Sequence, residues 1–313
     1  MPKALVIGSE GQDGHYLLEL LNSKGYQLIA LSRSGIKGSV ASTHWISSLN
    51  YDAIGRLIQL EQPDEIYYLA AFHNAAEDSL IDEMELLENS FETNTICFAG
   101  ILCAIIRYCP GSRVFYAASS HVFGEPSSEM QNERTPLNPV SAYGISKAAG
   151  VHLCRYFRKR HNVYASVGIL YNHESPRRQE RFLSKKVVGS AVRIKRGQQD
   201  RLALGCLDTM VDWGFAGDYV AAMWKILQLE DPDDFVIATG ILHSVRDFAI
   251  TAFRLLDLDW SIYVAERKDI LTKVPPKLCG DASKLRRMAN WRPEVSFEGL
   301  VQIMVEAELR RAN

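Results

Sequence analysis

The 313-residue sequence has no strong charge of either sign: 35 lysines and arginines stand against 37 aspartates and glutamates, a formal net charge of -2. No basic stripe interrupts this balance, so nucleic acid is not an expected partner. The six cysteines (Cys97, Cys103, Cys109, Cys154, Cys206, Cys279) form no Cys-x-x-Cys pair. That argues against a metal centre and for reduced thiols in a cytoplasmic protein. No apolar run approaches the length of a membrane span. Met1-Pro2-Lys3 leads straight into a strand pattern, without the layout of a signal peptide, so neither membrane association nor export is expected. Internal repeats and low-complexity segments are absent too. What remains, 47% hydrophobic and 23% charged residues, is the make-up of a soluble globular chain long enough for one large or two modest domains.

The first pattern present is Lys3-Ala4-Leu5-Val6-Ile7, an apolar run that reads as a buried parallel strand. Gly8, Gly11 and Gly14 follow, and then Tyr16, Leu17, Leu18, Leu20 and Leu21 recur at helical spacing. Strand, glycine turn and helix together make a dinucleotide site: the backbone approaches a pyrophosphate whose charge sits on the helix N-terminus. A second strand, about 27–31, ends at Ser32-Arg33-Ser34. No acidic residue lies between Gln27 and Thr43 to grip a ribose 2′-hydroxyl. Arg33 suits a 2′-phosphate, which favours NADP over NAD; otherwise Arg33 is a solvated loop charge.

Strand and helix patterns then alternate. A short strand lies near Trp45 and a helix over 52–61. The strand 65–71 ends in Leu69-Ala70-Ala71, small enough to let backbone pass beside cofactor phosphates. A long helix spans about 85–108, and a strand over 113–117 leads to Ser119-Ser120-His121-Val122-Phe123-Gly124. The strand 165–170 ends in the polar loop 171–178, and 211–224 and 235–240 look like returns to the sheet. The stretch from about 244 to 313 reads as helices and loops of a smaller lobe. The expected fold is α/β, a doubly wound parallel sheet. Residues 1–170 form the cofactor domain, with returning segments about 210–243, and 171–313 are mainly the substrate-binding lobe.

Tyr143 and Lys147 are four residues apart, so they share one face of a helix. A neighbouring ammonium and an oxidised nicotinamide both favour phenolate and lower the tyrosine pKa from its usual value of about 10. Tyr143 is then an acid/base that moves a proton on or off a sugar hydroxyl; the alternative is a packed tyrosine beside a solvated lysine. Arg155, Arg158, Lys159 and Arg160 read as a solvent-facing cluster that complements a helix C-terminus. Glu83, Glu85, Glu88 and Glu92 read as a solvated face.

Several stretches together carry a resemblance. Gly8-Ser9-Glu10-Gly11-Gln12-Asp13-Gly14, Asn172-His173-Glu174-Ser175-Pro176-Arg177-Arg178, Asp212-Trp213-Gly214 with Asp218-Tyr219-Val220, and the run 234–246 are similar to the GDP-mannose 4,6-dehydratase family of extended short-chain dehydrogenase/reductases. Gly280-Asp281-Ala282-Ser283-Lys284 and Trp291-Arg292-Pro293 are similar to that family's end. The resemblance implies a nucleotide-linked hexose as substrate, with Tyr143 taking the C4 hydroxyl proton, Ser119 bonding the C4 oxygen and Lys147 orienting Tyr143. It implies Gln12, Asp13, His173 and Arg178 at the cofactor, and Ser120 and Asn172 at the substrate. It also implies an assembly: a homodimer through helices at about 85–108 and 143–160 is expected, with a tetramer as the alternative.

Two positions depart from the pattern. His121 stands where the family has the glutamate that removes the C5 proton, and Val211 where it has a pyrophosphate-binding arginine. Three readings of His121 stand: a dehydratase running on imidazole, a 4-ketoreductase or epimerase that has lost elimination, or a histidine that only fills space. Arg177, Arg181, Lys185 and Arg246 are candidates to replace the missing arginine. The family's adenine-side pair appears as Ser47-Ser48, and its later Arg and Glu fall near Leu271 and Val274. A silent cofactor-binding sensor is the reading from outside enzymology; intact Ser119, Tyr143 and Lys147 argue against it.

Overall fold

The computed structural model describes residues 1–32, the backbone of 42–45, and residues 50–73, 81–267, 269 and 277–311. Arg33, Ser47, Ser48, Leu271 and Val274 lie outside the described residues. The chain runs β1 (Lys3–Ile7), α1 (Gln12–Ser23), β2 (Gln27–Ser32), β3 (Ser42–Trp45), α2 (Tyr51–Glu61) and β4 (Glu65–Tyr68). It continues through α3 (Glu83–Phe91), a π-helical turn (Glu92–Ile96), α4 (Cys97–Tyr108), β5 (Arg113–Ser119), a 3-10 turn (Ser120–Val122), α5 (Ala142–His161) and β6 (Tyr164–Leu170). Then come β7 (Asn172–Glu174), α6 (Leu183–Lys195), β8 (Leu202–Leu204), β9 (Met210–Phe215), α7 (Ala216–Leu227), β10 (Asp234–Ile237) and β11 (Leu242–Ser244). The chain closes with α8 (Val245–Arg254), α9 (Trp260–Tyr263), β12 (Val264–Glu266), α10 (Ser283–Ala289) and α11 (Phe297–Arg311).

Seven strands form one sheet in the order β10-β6-β5-β4-β1-β2-β3, and every pairing in it is parallel. Helices must cover both faces of such a sheet, which is why its strands are apolar throughout rather than alternating. One face packs with Ile54 and Ile58 of α2, Phe98 and Ile101 of α4, and Val151 and Cys154 of α5. The other packs with Leu17 and Leu21 of α1, Met223 and Ile226 of α7, and Leu285 of α10. The strand order reverses at the β1–β4 pair, where Ile7 stands beside Tyr68. Ligands bind outside the carboxyl ends of strands at such a reversal, and the glycine turn and Leu69-Ala70-Ala71 leave the sheet there. A third core joins α6, α8 and α11 through residues such as Val188, Phe248 and Val301.

The run Glu83–Tyr108 is long and apolar enough by composition to cross a membrane, 26 residues with a mean hydropathy of 1.3 in its best window. This corrects the expectation that no run approaches a span, but Phe98, Ile101, Leu102 and Ile105 bury its apolar side in the core. Glu83, Glu85, Glu88 and Glu92 are exposed, as a solvated face requires.

Other expectations are displaced. The stretch 211–224 does not return to the large sheet as a strand: β9 joins a separate three-stranded sheet, β11-β9-β7, and only α7 packs on the main one. Residues 278–291, expected in the lobe, lie on the cofactor side. Gln131 bridges Gly280, Lys284 Nζ reaches Asp233 at 2.5 Å, and the Trp291 indole donates to the Asp218 carbonyl at 2.9 Å. Arg155 and Arg158 are not merely solvated, because together they hold the Asp234 carboxylate at 2.6 and 2.7 Å. Asp212, 1% exposed, accepts from the Thr239 hydroxyl at 2.5 Å and from the backbone N–H groups of Thr239, Gly240 and Gly280 at 3.0–3.1 Å. The aspartate of Asp-Trp-Gly is therefore a pin between β9, the end of β10 and the chain near 280.

Candidate active site

The glycine turn is built by two steric demands. Gly8 sits at φ +90°, and a Cβ there would meet the Ala70 backbone nitrogen at 2.6 Å. A Cβ on Gly14 would meet the Ser9 carbonyl oxygen at 2.5 Å, and Gly11 closes the turn through its N–H to the Gly8 carbonyl at 3.1 Å. Neither glycine tolerates a side chain, so β1, β4 and the start of α1 approach closely enough to cradle a pyrophosphate. The residues present fit a dinucleotide: a bare backbone turn, a helix N-terminus and the small residues Ala70 and Ala71.

The side chains of this turn engage each other. Gln12 donates to the His173 carbonyl at 2.9 Å and accepts from the Ser175 hydroxyl at 2.7 Å. His173 Nδ1 lies 2.7 Å from the Tyr171 carbonyl and Nε2 lies 2.8 Å from Asp13 Oδ2. Both partners only accept, so both ring nitrogens carry protons and the ring is an imidazolium. Burial opposes that charge, but the Asp13 carboxylate overcomes it and holds the His173 pKa above its usual value. Burial likewise opposes charge on Asp13, and His173 holds it below the usual carboxylate range. The ring also stacks on Tyr219, centroids 4.6 Å apart. Gln12, Asp13 and His173, assigned to cofactor by resemblance, therefore staple the segment after β6 to the glycine turn.

At the end of β5 the chain enters its 3-10 turn with the Ser119 hydroxyl accepting from the His121 N–H at 3.3 Å. Ser120 is buried. Ser141 caps α5, its hydroxyl accepting from Gly144. This places Tyr143 on the first turn of α5, half-buried, with a hydrogen bond to Ser119. Burial pushes the Tyr143 hydroxyl up to about 12, against lowering by Ser119 and Arg178; Asp13 adds a smaller upward push. Lys147, 1% exposed, donates to the Ala117 carbonyl at 2.7 Å, and burial brings its amine down to about 7. The expected lowering of the phenol by a charged neighbour is thus not produced by the protein alone: burial weakens the lysine's hold on its proton and keeps the tyrosine protonated.

Rings surround the phenol. His121 lies 5.7 Å and His73 4.6 Å from the Tyr143 ring centroid, both edge-on. His73 also stacks on Phe182 at 6.1 Å, and the Arg178 guanidinium lies 3.6 Å over that same ring. Sequence reasoning missed His73 and Phe182. The available signal was a histidine two residues past Ala71, at the carboxyl end of a central parallel strand.

The candidates for the missing pyrophosphate arginine divide. Lys185 is corrected: it is 1% exposed, and its amine is taken by Glu308 at 2.5 Å and the Pro176 carbonyl at 3.2 Å. Arg246 pairs with Asp208 at 2.8 Å on the surface, and Arg177 pairs with Glu19 at 3.2 Å. Arg181 donates to the Gln179 side-chain oxygen at 2.9 Å and stands 5.0 Å over Phe182. Asn172 is exposed on β7, and Val211 packs partly buried against the third core.

A family model described as GDP-mannose 4,6 dehydratase matches residues 5–304. GDP-mannose 4,6 dehydratase of Drosophila melanogaster is 36% identical over 99% of this chain and 87% of its own length; the human protein of that name is 32% identical over 99% and 92%. Among solved structures, UDP-glucose 4-epimerase of Thermotoga maritima superposes with a TM-score of 0.85 at 21% identity over 99% of this chain and 100% of that one. A dTDP-glucose 4,6-dehydratase from Bacillus anthracis solved with NAD gives 0.83 at 18% over 99% and 97%. RMD from Pseudomonas aeruginosa solved with NADPH gives 0.83 at 19% over 99% and 100%. At such identities the structural neighbours speak for the fold; the family match and the close relatives speak for kinship, and the chain belongs to the GDP-mannose 4,6-dehydratase family of extended short-chain dehydrogenase/reductases.

Proposed function

We propose that this protein is an NADP-dependent lyase that takes a GDP-linked hexose, oxidises it at C4 and eliminates water across C5 and C6. The observation that carries the reading is the clustering of Ser119, His121, Tyr143 and Lys147, with Asp13 of the glycine turn within electrostatic reach of Tyr143. The turn backbone and Arg33 would hold NADP, which would supply the hydride chemistry at C4 and C6. Ser119 holds the C4 oxygen and Tyr143 takes the C4 hydroxyl proton. Lys147, anchored on Ala117, orients the phenol. His121 removes the C5 proton, which the new 4-keto group acidifies. Arg177, Arg181 and Arg246 are the guanidinium candidates to meet the pyrophosphate in place of the arginine lost at Val211.

A related 4-ketoreductase or epimerase is the second reading, favoured by His121 in the glutamate's place. Incubation with NADP and GDP-mannose decides by mass. A product lighter by one water marks the lyase, unchanged mass with altered stereochemistry marks the epimerase, and a two-hydrogen change marks the reductase. No turnover of any nucleotide sugar would leave the sensor reading. Solvent-deuterium exchange at C5 in His121→Ala tests the base: exchange at the wild-type rate removes His121 from the mechanism. NADP binding tighter than NAD, with the preference reduced in Arg33→Ala, tests the cofactor choice. A cytoplasmic, dimeric enzyme fits six free thiols and the exposed apolar residues Ile96, Ile106 and Tyr156 of α4, its preceding turn and α5.

A further inference from the structure

The π-helical turn before α4 reaches both Phe72 and the helix that carries Tyr143. The Asn94 side chain, buried in that turn, accepts from the Phe72 N–H at 3.1 Å and donates to the Phe72 carbonyl at 3.3 Å and to the Ser146 hydroxyl at 3.0 Å. Thr95 donates to the Ser146 carbonyl at 2.9 Å, and the Tyr116 hydroxyl donates to the Asn94 carbonyl at 2.7 Å. Such turns free backbone groups for contacts a regular helix would consume. Here the Asn94 side chain ties the residue before His73 to the helix that carries Tyr143. His73 is thus held edge-on to the phenol on one side and stacked on Phe182 on the other, with the His121 ring centroid 6.0 Å away. His73, His121 and Tyr143 thus form one cluster of rings around the phenol.

We propose that His73 is a second catalytic imidazole, the acid that expels the C6 hydroxyl while His121 acts as the base at C5. The assignment rests on the lyase reading above and deepens it. The C5–H bond breaks, its proton goes to neutral His121, and its electron pair forms the C5–C6 double bond. The C6–O bond breaks with its electron pair on oxygen, which takes a proton from charged His73 and leaves as water. His121 gives its proton back to C5 when C6 regains hydrogen. His73 is left one proton short and Tyr143 one proton rich, since Tyr143 took the C4 hydroxyl proton. Transfer between these neighbours restores both, so the proton removed in the oxidation recharges His73 for the next turnover. A single glutamate handles both protons by turns; two neutral-to-cationic rings divide the task.

The test compares wild type with His73→Gln, which keeps a polar group of similar reach, and His73→Ala with and without added imidazole. C4 oxidation followed by reduced-nicotinamide absorbance and C5 exchange from deuterium oxide should persist in both variants. Water loss should fall by roughly a hundred- to ten-thousandfold, and imidazole should restore part of it in His73→Ala. A binding readout is independent of turnover. In a Tyr143→Phe background, GDP-mannose should bind about 2–10-fold tighter than its 6-deoxy analogue, and the difference should vanish when His73 is also replaced. Water loss in His73→Gln within about threefold of wild type overturns the assignment. So does an equal fall of oxidation, exchange and elimination without imidazole rescue, which would mean that His73 only packs against Tyr143. If wild type itself releases no water from GDP-mannose, the lyase reading fails first and this assignment with it.

Discussion

A phenol held at about 12 by burial is a poor base near neutral pH until positive charge arrives beside it. Tyr143→Phe should lower kcat by roughly a hundred- to ten-thousandfold while leaving the dissociation constant for GDP-mannose within about threefold, a split read by steady-state kinetics and calorimetry. The Asp13–His173 pair gives a prediction in stability. The His173 pKa is raised on folding, so its contribution is complete below its unfolded value of about 6.5 and is lost as pH rises through the folded value. The Asp13 pKa is lowered, so its contribution is complete above about 3.9 and lost in acid. The pair is worth most between about pH 4 and 6.5, and the Tm advantage of wild type over His173→Gln should shrink as pH rises above 7. Scanning calorimetry across that range checks it. At this scale the sequence was readable where chemistry lies close in the chain: Ser119 at a strand end, Tyr143 and Lys147 one helical turn apart. It was silent where the partner is remote. Nothing in the local pattern around Lys185 announces Glu308, 123 residues on, and nothing around His73 announces the asparagine that aims it.

Elements depend on a few buried polar pins. Asp212 holds four donors, so Asp212→Asn both discharges it and presents an amide to groups that need an acceptor. About 2–3 kcal/mol of stability should disappear, read as a lower urea midpoint. The α6–α11 contact should respond in the pattern of a buried ion pair. Glu308→Ala strands the Lys185 ammonium, 1% exposed, and should cost about 3–5 kcal/mol, whereas a Lys185→Met, Glu308→Leu pair should be near neutral. Strand and helix patterns gave the order of the sheet elements because strands buried on both faces are apolar throughout and the crossing helices keep a 3.6-residue stripe. They misplaced 211–224 because an apolar strand looks alike whether it joins a large sheet or a small one. The π-helical turn in the long helix at 83–108 was equally hidden, since it changes hydrogen bonding without interrupting the apolar pattern.

At the scale of the whole molecule, Ile106 and Tyr156 stand 37% and 55% exposed on α4 and α5, one each on the two helices proposed to pair between subunits. Replacing both with glutamate should convert a dimer to a monomer in sedimentation velocity, with the circular dichroism spectrum unchanged; a wild-type monomer would refute the pairing. Gly280 bridging Gln131, Lys284 on Asp233 and Trp291 on Asp218 carry a further consequence. The margin of the sheet at β10 is finished by residues that leave the ribosome long after the strands they close. A nascent chain released before residue 291 would present that margin open, so chaperone capture and degradation of prematurely terminated products should concentrate on chains ending between about 240 and 290.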